Sequence, residues 1–263
     1  MIYFVPSWYH ENEYKENENY WYISRQVTEF DDSVKQVQMF NRNNIMDYKI
    51  LNLSHSPNFR HFLHRQSVFH APYWSCFDAI QEIKRTKVDI LSYRDLMWPD
   101  HTEFVYTPFC IVAYVNNEKY AEIQFGEDGN MIEVLLFQSE NMVRKNIYDD
   151  RGFLSATIVY DSGMPVYKQY LNDKGAWRIC QFYEDGHIEV NPDDPFYLIN
   201  NKRVKFESVQ YTNMDSLIEE VFSTYLDEMT EKSDIFCLAM HTLHHDLLES
   251  LFTQRKTILS FYQ

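Results

Sequence analysis

The sequence predicts an α/β fold, built on a parallel sheet with covering helices and interrupted by an antiparallel β-sheet insertion. Two observations carry this prediction. Short apolar runs alternate with helical patterns near both ends of the chain, as in β-α-β units. All six glycines, in contrast, lie between residues 126 and 186, where polar and apolar residues alternate. A chain of 263 residues can bury a substantial core, in one large or two ordinary domains.

The part of the chain before the glycines contains the elements of a parallel sheet. An apolar run predicts a strand over 2–5. Four apolar residues are then spaced for one face of a helix over 31–40: Phe30, Val34, Val37 and Phe40. The patterns that follow predict a strand over 48–53, helices over 59–65 and 77–83, and a strand over 88–91. This order of strands and helices is typical of a parallel sheet.

The later glycines mark the turns of an antiparallel meander. Each of these glycines follows polar residues, as in Asp149-Asp150-Arg151-Gly152. The spacings between consecutive members are 11, 12 and 11 residues for Gly152, Gly163, Gly175 and Gly186. Glycine supplies the positive φ that tight hairpin turns require. Between the turns the residues alternate with a period of two, as in half-buried strands. A turn without glycine near Ser139-Glu140-Asn141 would complete the spacing.

Helix and strand patterns return after the glycine-containing window. Ser216 and Glu219 fit a capping box that opens a helix over 216–229. A strand over 234–240, a helix over 245–252 and a last strand over 258–262 follow. The apolar run at 258–262 lacks the polar residues of a natural terminus, which favours a truncated chain or a split gene.

These patterns divide the chain into three segments. The insertion is expected to begin near Thr107-Pro108 and to end near Val204. Segments 1–104 and 206–263 then form the α/β domain, and 105–205 forms the inserted sheet. Because the ends of an insertion normally lie close together, its excision with a short linker is expected to leave a folded α/β domain.

The distribution of glycine also limits the chemistry of the chain. With no glycine before 126 or after 186, the α/β segments contain neither a dinucleotide fingerprint nor a phosphate-binding P-loop. There is no G-x-S-x-G motif, which disfavours an acyl-transfer site. No Asp-x-Asp occurs, although that motif is the usual cue for a metal-held sugar nucleotide. The sequence therefore predicts no catalytic residues and no cofactor.

The chain is acidic, with 39 acidic and 24 basic residues and a formal net charge of −15. Such a surface repels phosphate backbones and anionic lipid leaflets, so we expect neither a nucleic-acid partner nor membrane insertion. No run approaches the ~18 apolar residues of a membrane span, and the start lacks the basic region of a signal peptide. Four widely separated cysteines predict buried free thiols and a reducing cytoplasm: Cys76, Cys110, Cys180 and Cys237.

Two groups of histidines are candidate metal sites by composition. The first is His241, His244 and His245, and the second is His55, His61, His64 and His70. Neither an H-E-x-x-H motif nor a matching carboxylate pattern accompanies them. We expect polar residues at a helix start in the first case, a polar or anion-contacting helix face in the second, and no metal.

Aromatic residues of the meander are the candidate partner-binding residues. Their number exceeds what one thin sheet can hide, and aromatic faces suit sugars and protein surfaces. We expect Tyr167, Trp177 and Tyr183 to contact a partner, although cross-strand packing would also account for them. Trp177 and Tyr183 share strand parity, whereas Tyr167 does not.

Six segments carry a family resemblance that extends over nearly the whole chain. They are YFVPSWY at 3–9, FDDSVKQVQMF at 30–40, FLHRQ at 62–66, EFVYTPF at 103–109, YDDRGF at 148–153 and VNP at 190–192. In this order they resemble the accessory secretory protein one family of the Gram-positive accessory Sec system. The resemblance implies a Rossmann-like (GT-B-like) half-domain carrying an extended β-sheet domain, shared with glycosyltransferases that modify serine-rich repeat adhesins.

The resemblance also implies a non-enzymatic role in export. Such proteins act in the cytoplasm, or peripherally at the cytoplasmic face of the membrane through the translocase. Their implied partners are two companion accessory Sec proteins, the accessory Sec motor ATPase and the glycosylated serine-rich repeat adhesin, which they help to deliver to its dedicated translocase. This sequence departs from the family in length, because it has no counterpart of the second Rossmann-like half.

Two other functions stay open at this point. The chain could be the acceptor-binding half or the stabilising subunit of an adhesin O-glycosyltransferase. A glycine-containing loop after the first strand would favour that function, but Pro6-Ser7-Trp8-Tyr9-His10 occupies the place. The chain could instead be a free-standing carbohydrate-binding module, which would require the meander to fold and bind alone.

Overall fold

The structure, a computed structural model, describes residues 1–23, 27, 31–45 and 47–261. The helices are α1 (Asp32–Arg42), α2 (Phe59–Arg65), α3 (Cys76–Ile80), α4 (Met214–Met229) and α5 (His245–Leu247). The strands are β1 (Ile2–Val5), β2 (Tyr48–Asn52), β3 (Tyr73–Ser75), β4 (Glu103–Tyr106), β5 (Ile111–Val115), β6 (Glu118–Phe125), β7 (Met131–Gln138), β8 (Asn141–Asp149), β9 (Phe153–Asp161), β10 (Met164–Leu171), β11 (Trp177–Phe182), β12 (Ile188–Val190), β13 (Phe196–Ile199), β14 (Lys202–Lys205), β15 (Gln210–Tyr211), β16 (Ile235–Ala239) and β17 (Lys256–Ser260).

Strand β1 lies at the centre of a parallel sheet with the order β17-β16-β1-β2-β3. It is buried on both faces, as its continuous apolar run requires: Phe4 and Val5 are almost inaccessible. The chain moves outward from β1 to β3 and later adds β16 and β17 on the other side. Successive strands are therefore added on opposite sides of the boundary between β1 and β16. This boundary is the topological switch point, where doubly wound α/β folds bind their ligands.

The ten-stranded antiparallel sheet, called the meander below, contains β4 to β12 in chain order and ends with β15. The predicted glycine-free turn joins β7 to β8, and Ser139 and Glu140 adopt φ of 49° and 69° there. The prediction of an α/β fold with an antiparallel sheet is thus confirmed. The meander extends slightly beyond 105–205 at both ends, and the division into three segments stays a prediction.

The third strand of the parallel sheet is β3, so the prediction of a strand over 88–91 is wrong. Residues 88–91 form an irregular segment that crosses the β8–β9 turn, where the Asp89 N–H donates to the Arg151 carbonyl at 3.2 Å. Gly152 is needed at this crossing, because a Cβ there would lie 1.8 Å from the Asp89 carbonyl oxygen. Ile90 is 94% exposed, so the apolar run packs against nothing that would extend the sheet.

The predicted helices are present, with different ends. Asn213, and not Ser216, caps α4, since its side chain accepts a hydrogen bond from the Ser216 N–H at 3.0 Å. The helix predicted over 245–252 divides into α5 and a π-helical turn, Leu248–Phe252. Helix α1 begins after Asp31, whose carboxylate accepts from the Val34 N–H at 2.7 Å. Phe30 and Tyr262 lie outside the described residues.

One hydrophobic core joins the meander to the α/β part of the chain. Tyr170 of β10 is 2% exposed, and its ring centroid lies 5.3 Å from that of Phe77 in α3 and 5.0 Å from that of His55. Ile179 of β11 belongs to the same buried cluster, as does Leu53 at the end of β2. The face of the meander that carries Tyr170 and Ile179, called its inner face below, is therefore an internal surface over these residues.

The β8–β9 turn is fastened to α2 and α3 by charged groups. The Arg151 guanidinium donates to both carboxylate oxygens of Asp78 at 2.8 Å, and to Asp149. Asp150 accepts a hydrogen bond from the Arg60 N–H at 3.0 Å. Burial, followed by repulsion from Asp149, raises the pKa of Asp150 to about 7.

Two further arginine clusters connect the same parts of the chain. Arg65 of α2 is buried and donates to Glu18 at 2.7 Å and to Asp128 of the β6–β7 turn at 2.6 Å. Glu82, which follows α3, contacts Arg178 of β11 at 2.8 Å. Loss of one partner of such a buried pair strongly destabilises a fold, because a charge is left uncompensated.

The four cysteines are free thiols, as predicted. Cys76 and Cys180 are buried, but Cys110 and Cys237 are partly exposed, so the expectation of burial is met for two of them. Among the described residues, no helix combines the length and apolar character that a membrane crossing requires.

The shared core changes the expected result of excising the insertion. We expect a chain in which a short linker replaces 107–204 to be unfolded or aggregated, because Leu53 and Phe77 would lose their cover. Circular dichroism measures whether the excised chain is folded, and size-exclusion chromatography measures whether it is aggregated. Replacing only the exposed hairpin tip, 138–141, by Asn-Gly serves as the control and should leave the fold intact. A cooperative thermal transition of the excised chain would show that the α/β core is separable.

Candidate functional site

The crevice at the switch point between β1 and β16 is closed by a buried hydrogen bond. Tyr9, in the loop after β1, has its hydroxyl 2.7 Å from His244 Nε2, and His244 Nδ1 lies 2.6 Å from the Ala239 carbonyl. Because a carbonyl only accepts, Nδ1 carries the proton and Nε2 accepts from Tyr9. Burial lowers the pKa of His244 to about 4. Neutral, fully hydrogen-bonded groups thus occupy the place where many α/β folds hold a phosphate.

Other polar residues of this edge also hold loops in place. The Tyr14 hydroxyl donates to Asp215 at the start of α4 at 2.9 Å. The Glu16 carboxylate accepts from the backbone N–H and the side-chain amide of Asn58, both at 2.9 Å. Burial raises the pKa of Glu16 well above its usual range. These contacts order the long loop after β1 against the α/β core.

An open cleft lies beside this edge, next to the inner face of the meander. It consists of two adjoining cavities of about 290 and 320 Å³, which share five lining residues: Lys15, Glu133, Lys145, Ile147 and Lys168. We call it the meander cleft. It is formed by the loop after β1 on one side and by β7 to β11 on the other, so it exists only where both parts of the fold meet.

Lys168 of β10 is the most unusual group in the meander cleft. It is 5% exposed, and its Nζ lies 3.3 Å from His55 Nδ1 and 4.4 Å from the centroid of the Tyr170 ring. His55 Nε2 lies 2.9 Å from the Ser155 hydroxyl. Burial, followed by the charge of Lys15, lowers the pKa of Lys168 to about 7. Burial also lowers the pKa of His55 well below its usual range.

The outer part of the cleft carries paired charges and aromatic rings. Lys145 Nζ lies 3.3 Å from the Glu133 carboxylate, which also accepts from the Tyr20 hydroxyl at 2.9 Å. Tyr183 lines the second cavity and is 41% exposed. Burial raises the pKa of Tyr183 to about 12, so its hydroxyl is protonated at neutral pH. The cleft offers hydroxyl, ammonium and carboxylate groups next to aromatic faces, which suits a hydroxyl-rich ligand.

The structure does not bring the three predicted partner-binding residues together. Tyr183 faces the cleft, whereas Tyr167 pairs with Phe182 on the opposite face of the meander, with ring centroids 6.1 Å apart. Trp177 is half-buried at the other end of β11, about 20 Å along the strand from Tyr183. The three residues therefore cannot form one contact surface.

The histidines of the two candidate groups have structural contacts, and in the first group the ring centroids of His241 and His244 lie 6.1 Å apart. His241 caps the turn Thr242–His244 through its Nδ1, which accepts from the Leu243 N–H at 3.2 Å. His61 Nδ1 lies 3.9 Å from Asp128. Within the described part of the chain, no three side chains among His, Cys, Asp and Glu are grouped to hold a metal ion.

Lys168 and His55 were not predicted as a site from the sequence. Lys168 and Tyr170 have the same strand parity, and a lysine beside a core tyrosine on one strand face was the available signal. The partner histidine is 113 residues away in sequence, so no local pattern joins the two.

We expect Lys168→Met to be more stable than the wild type at pH 7. The folded pKa of about 7 lies below the ordinary 10.5, so wild-type stability rises as the pH increases from about 7 towards 10.5. The advantage of the variant should therefore shrink by about 2 kcal/mol between pH 7 and pH 9. Urea unfolding at several pH values measures the difference.

Lys174→Met, at an exposed lysine of the β10–β11 turn, is the matched control for this prediction. It should show no comparable pH-dependent difference. If the two variants behave alike, the Lys168 ammonium is not held in a desolvated site.

Comparison with known proteins matches this chain to one protein family. The sequence model of the accessory Sec system protein 1 family matches residues 1–263. The accessory Sec system protein 1 of Streptococcus gordonii is 34% identical over 267 residues, and that of Staphylococcus aureus is 30% identical. The chain is matched completely in both cases but covers only 49% and 50% of those proteins. It thus spans about half the length of the curated relatives it matches.

Solved structures agree with this match. One is a complex of accessory secretory proteins 1, 2 and 3 from Streptococcus pneumoniae, with 33% identity and a TM-score of 0.91. It covers all of this chain and 52% of the other. A glycosylation-associated protein complex from Streptococcus agalactiae has 32% identity and a TM-score of 0.90, covering 99% of this chain and 51% of the other.

More distant structures define the fold class. One is the pneumococcal O-GlcNAc transferase GtfA, solved in complex with UDP and GlcNAc, which is 11% identical with a TM-score of 0.60. The match covers 98% of this chain and 46% of the GtfA chain. At this identity the likeness shows the fold alone, and it confirms the GT-B-like architecture. The model match and the curated relatives show the family: this chain belongs to the accessory Sec system protein 1 family.

Proposed function

We propose that this chain is part of a non-catalytic accessory Sec export factor that binds a glycosylated serine-rich repeat adhesin and helps to deliver it to its dedicated translocase. The membership in the accessory Sec family supports the general role. The adhesin, the motor ATPase and a location in the cytoplasm or at its membrane face follow from the family resemblance. Because the chain spans half of its relatives, the activity is proposed for this chain as a part of such a factor.

Companion accessory Sec proteins are the best supported partners. Two relatives, 32% and 33% identical and similar in structure over nearly the whole chain, were solved in complexes of three such proteins. An identity of this level with TM-scores of 0.90 and 0.91 supports a similar surface. We therefore propose that this chain assembles with accessory secretory proteins 2 and 3.

A single observation carries the choice of binding over catalysis. At the switch point between β1 and β16, where doubly wound folds bind their ligands, Tyr9 and His244 are joined by a buried hydrogen bond, while the neighbouring meander cleft is open. The cleft presents Tyr183 and Tyr20 together with charged hydrogen-bonding groups. Aromatic rings beside polar groups bind sugars through both their faces and their hydroxyls. The cleft thus fits the glycans of an adhesin.

The alternative function is the acceptor-binding half or the stabilising subunit of an adhesin O-glycosyltransferase. The GT-B-like fold favours it, because the O-GlcNAc transferase GtfA and a chain of the GtfA/B complex share that fold. The two functions differ in a measurable way, since only the second requires sugar transfer.

We expect the purified chain to transfer no labelled GlcNAc from UDP-GlcNAc to a serine-rich peptide. The loop after β1 is held by aromatic packing and hydrogen bonds and has no glycine that could approach a phosphate closely. A GtfA/GtfB complex under the same conditions is the positive control. Transfer by this chain alone would establish the glycosyltransferase alternative.

We expect Tyr183→Ala to weaken binding of a glycosylated serine-rich polypeptide about thirtyfold, corresponding to about 2 kcal/mol for an aromatic hot spot. Tyr167→Ala, on the opposite face of the same strands, is the matched control and should change the affinity little. Isothermal titration calorimetry measures both, and melting curves verify that the variants are folded. If both variants lose affinity equally, the adhesin does not bind in the cleft. If neither loses affinity, the adhesin does not bind to the meander.

A further inference from the structure

Strand β4 forms one edge of the meander and is paired on one side by β5. Among the described residues, nothing pairs with its other side. A strand in this position presents a row of backbone N–H and C=O groups that can accept another strand. Val105 is 48% exposed and Tyr106 is 62% exposed, so the side chains at this edge are accessible as well.

The β4 edge lacks three of the features by which proteins protect an edge strand, although it is only four residues long and carries the charge of Glu103. Its sequence, Glu103-Phe104-Val105-Tyr106, contains neither lysine nor proline, and its register with β5 has no bulge. The opposite edge of the meander is different, because β15 has only two residues, Gln210–Tyr211. A very short edge strand is itself a form of protection. The two edges of one sheet are therefore built for different surroundings.

An exposed aromatic patch lies at the β4–β5 turn, which follows the β4 edge. It consists of Trp21 and Tyr22, from the loop after β1, and Phe109, from the β4–β5 turn, which are 48%, 42% and 57% exposed. The Trp21 indole N–H donates to the Phe109 carbonyl at 2.9 Å, and the rings of Tyr22 and Phe109 lie 5.1 Å apart. The patch is held together by its own contacts although it is open to solvent, as in preformed binding surfaces.

The exposed side chain of Tyr106 is also held in place by its own contacts. Its hydroxyl lies 2.5 Å from the Tyr93 hydroxyl and accepts from the Arg94 guanidinium at 3.0 Å. These bonds fix the ring without covering it. A partner therefore meets an ordered side chain and loses little conformational entropy at this position.

We propose that an extended segment of a companion accessory Sec protein pairs with β4 as an additional strand of the meander and covers the aromatic patch. This inference rests on the proposed assembly with accessory secretory proteins 2 and 3. A second copy of the chain is a poor occupant, because each copy carries a formal charge of −15. Asp95, Asp100 and Glu103 are exposed around the edge, so the segment is expected to combine apolar and basic residues.

The test uses a charge at the β4 edge. Lysine on an edge strand opposes pairing, so Val105→Lys should weaken binding to purified accessory secretory proteins 2 and 3 at least tenfold. Val209→Lys is the matched control: Val209 is also 48% exposed, beside the opposite edge of the meander. It should bind as the wild type does. Melting curves establish that both variants are folded.

Backbone hydrogen exchange supplies a second readout. In the wild-type complex, amides of residues 103–106 should exchange more slowly than in the free chain, whereas those of 210–211 should not change. Suppose that the wild type binds both companions, that its amides at 103–106 exchange equally fast in the complex and in the free chain, and that Val105→Lys binds as tightly as the wild type. These results would overturn the edge pairing but leave the proposed function in place. A wild type that binds neither companion would overturn both. Self-association that Val105→Lys abolishes would identify a second copy as the occupant and overturn the choice of partner.

Discussion

The structure depends on burial of the inner face of the meander against the α/β part of the chain. A ten-stranded sheet has far more apolar surface than its own strands can cover, and here Tyr170 and Ile179 pack on Phe77 and Leu53. Neither part encloses this core alone. Arginine-carboxylate clusters then fix the relative position of the two surfaces, because bidentate guanidinium contacts such as Arg151 with Asp78 tolerate little displacement.

Two neighbouring regions of the fold have opposite properties as a result. At the switch point the buried groups of Tyr9 and His244 satisfy each other by a hydrogen bond. The meander cleft is open and contains Lys168, a lysine whose ordinary charge the surroundings disfavour. The meander thus supplies one wall of a cleft beside the edge of the parallel sheet at which doubly wound folds bind their ligands. A ligand surface can arise in this way without any change in the order of the parallel strands.

The sequence allowed much of this fold to be predicted, and the failures have physical causes. The glycine spacing identified the hairpins because positive φ is a local requirement that few other residues meet. Strand β3 was missed because Tyr73–Ser75 is short and gains its place from β2, whereas 88–91 resembles a strand but finds no partner. The cleft could not be predicted, since the contact of Lys168 with His55 joins residues far apart in sequence. Tyr167 and Tyr183 were grouped by composition, and strand alternation separates them.

The buried clusters also determine what the chain presents at long range. Arg65, Arg151, Arg178 and Lys168 are four of the 24 basic residues, and all of them are enclosed at the junction of the two parts. The carboxylates of Glu18, Glu127, Asp128, Asp149 and Glu82 are enclosed with the three arginines, so these clusters are close to neutral and the formal net charge of −15 is left to the other groups of the molecule. The electrostatic field of the molecule attracts basic surfaces over distances of about a Debye length, roughly 8 Å at physiological salt. Encounter rates with such surfaces should consequently fall as ionic strength rises, while contacts formed in the protected interior keep their strength.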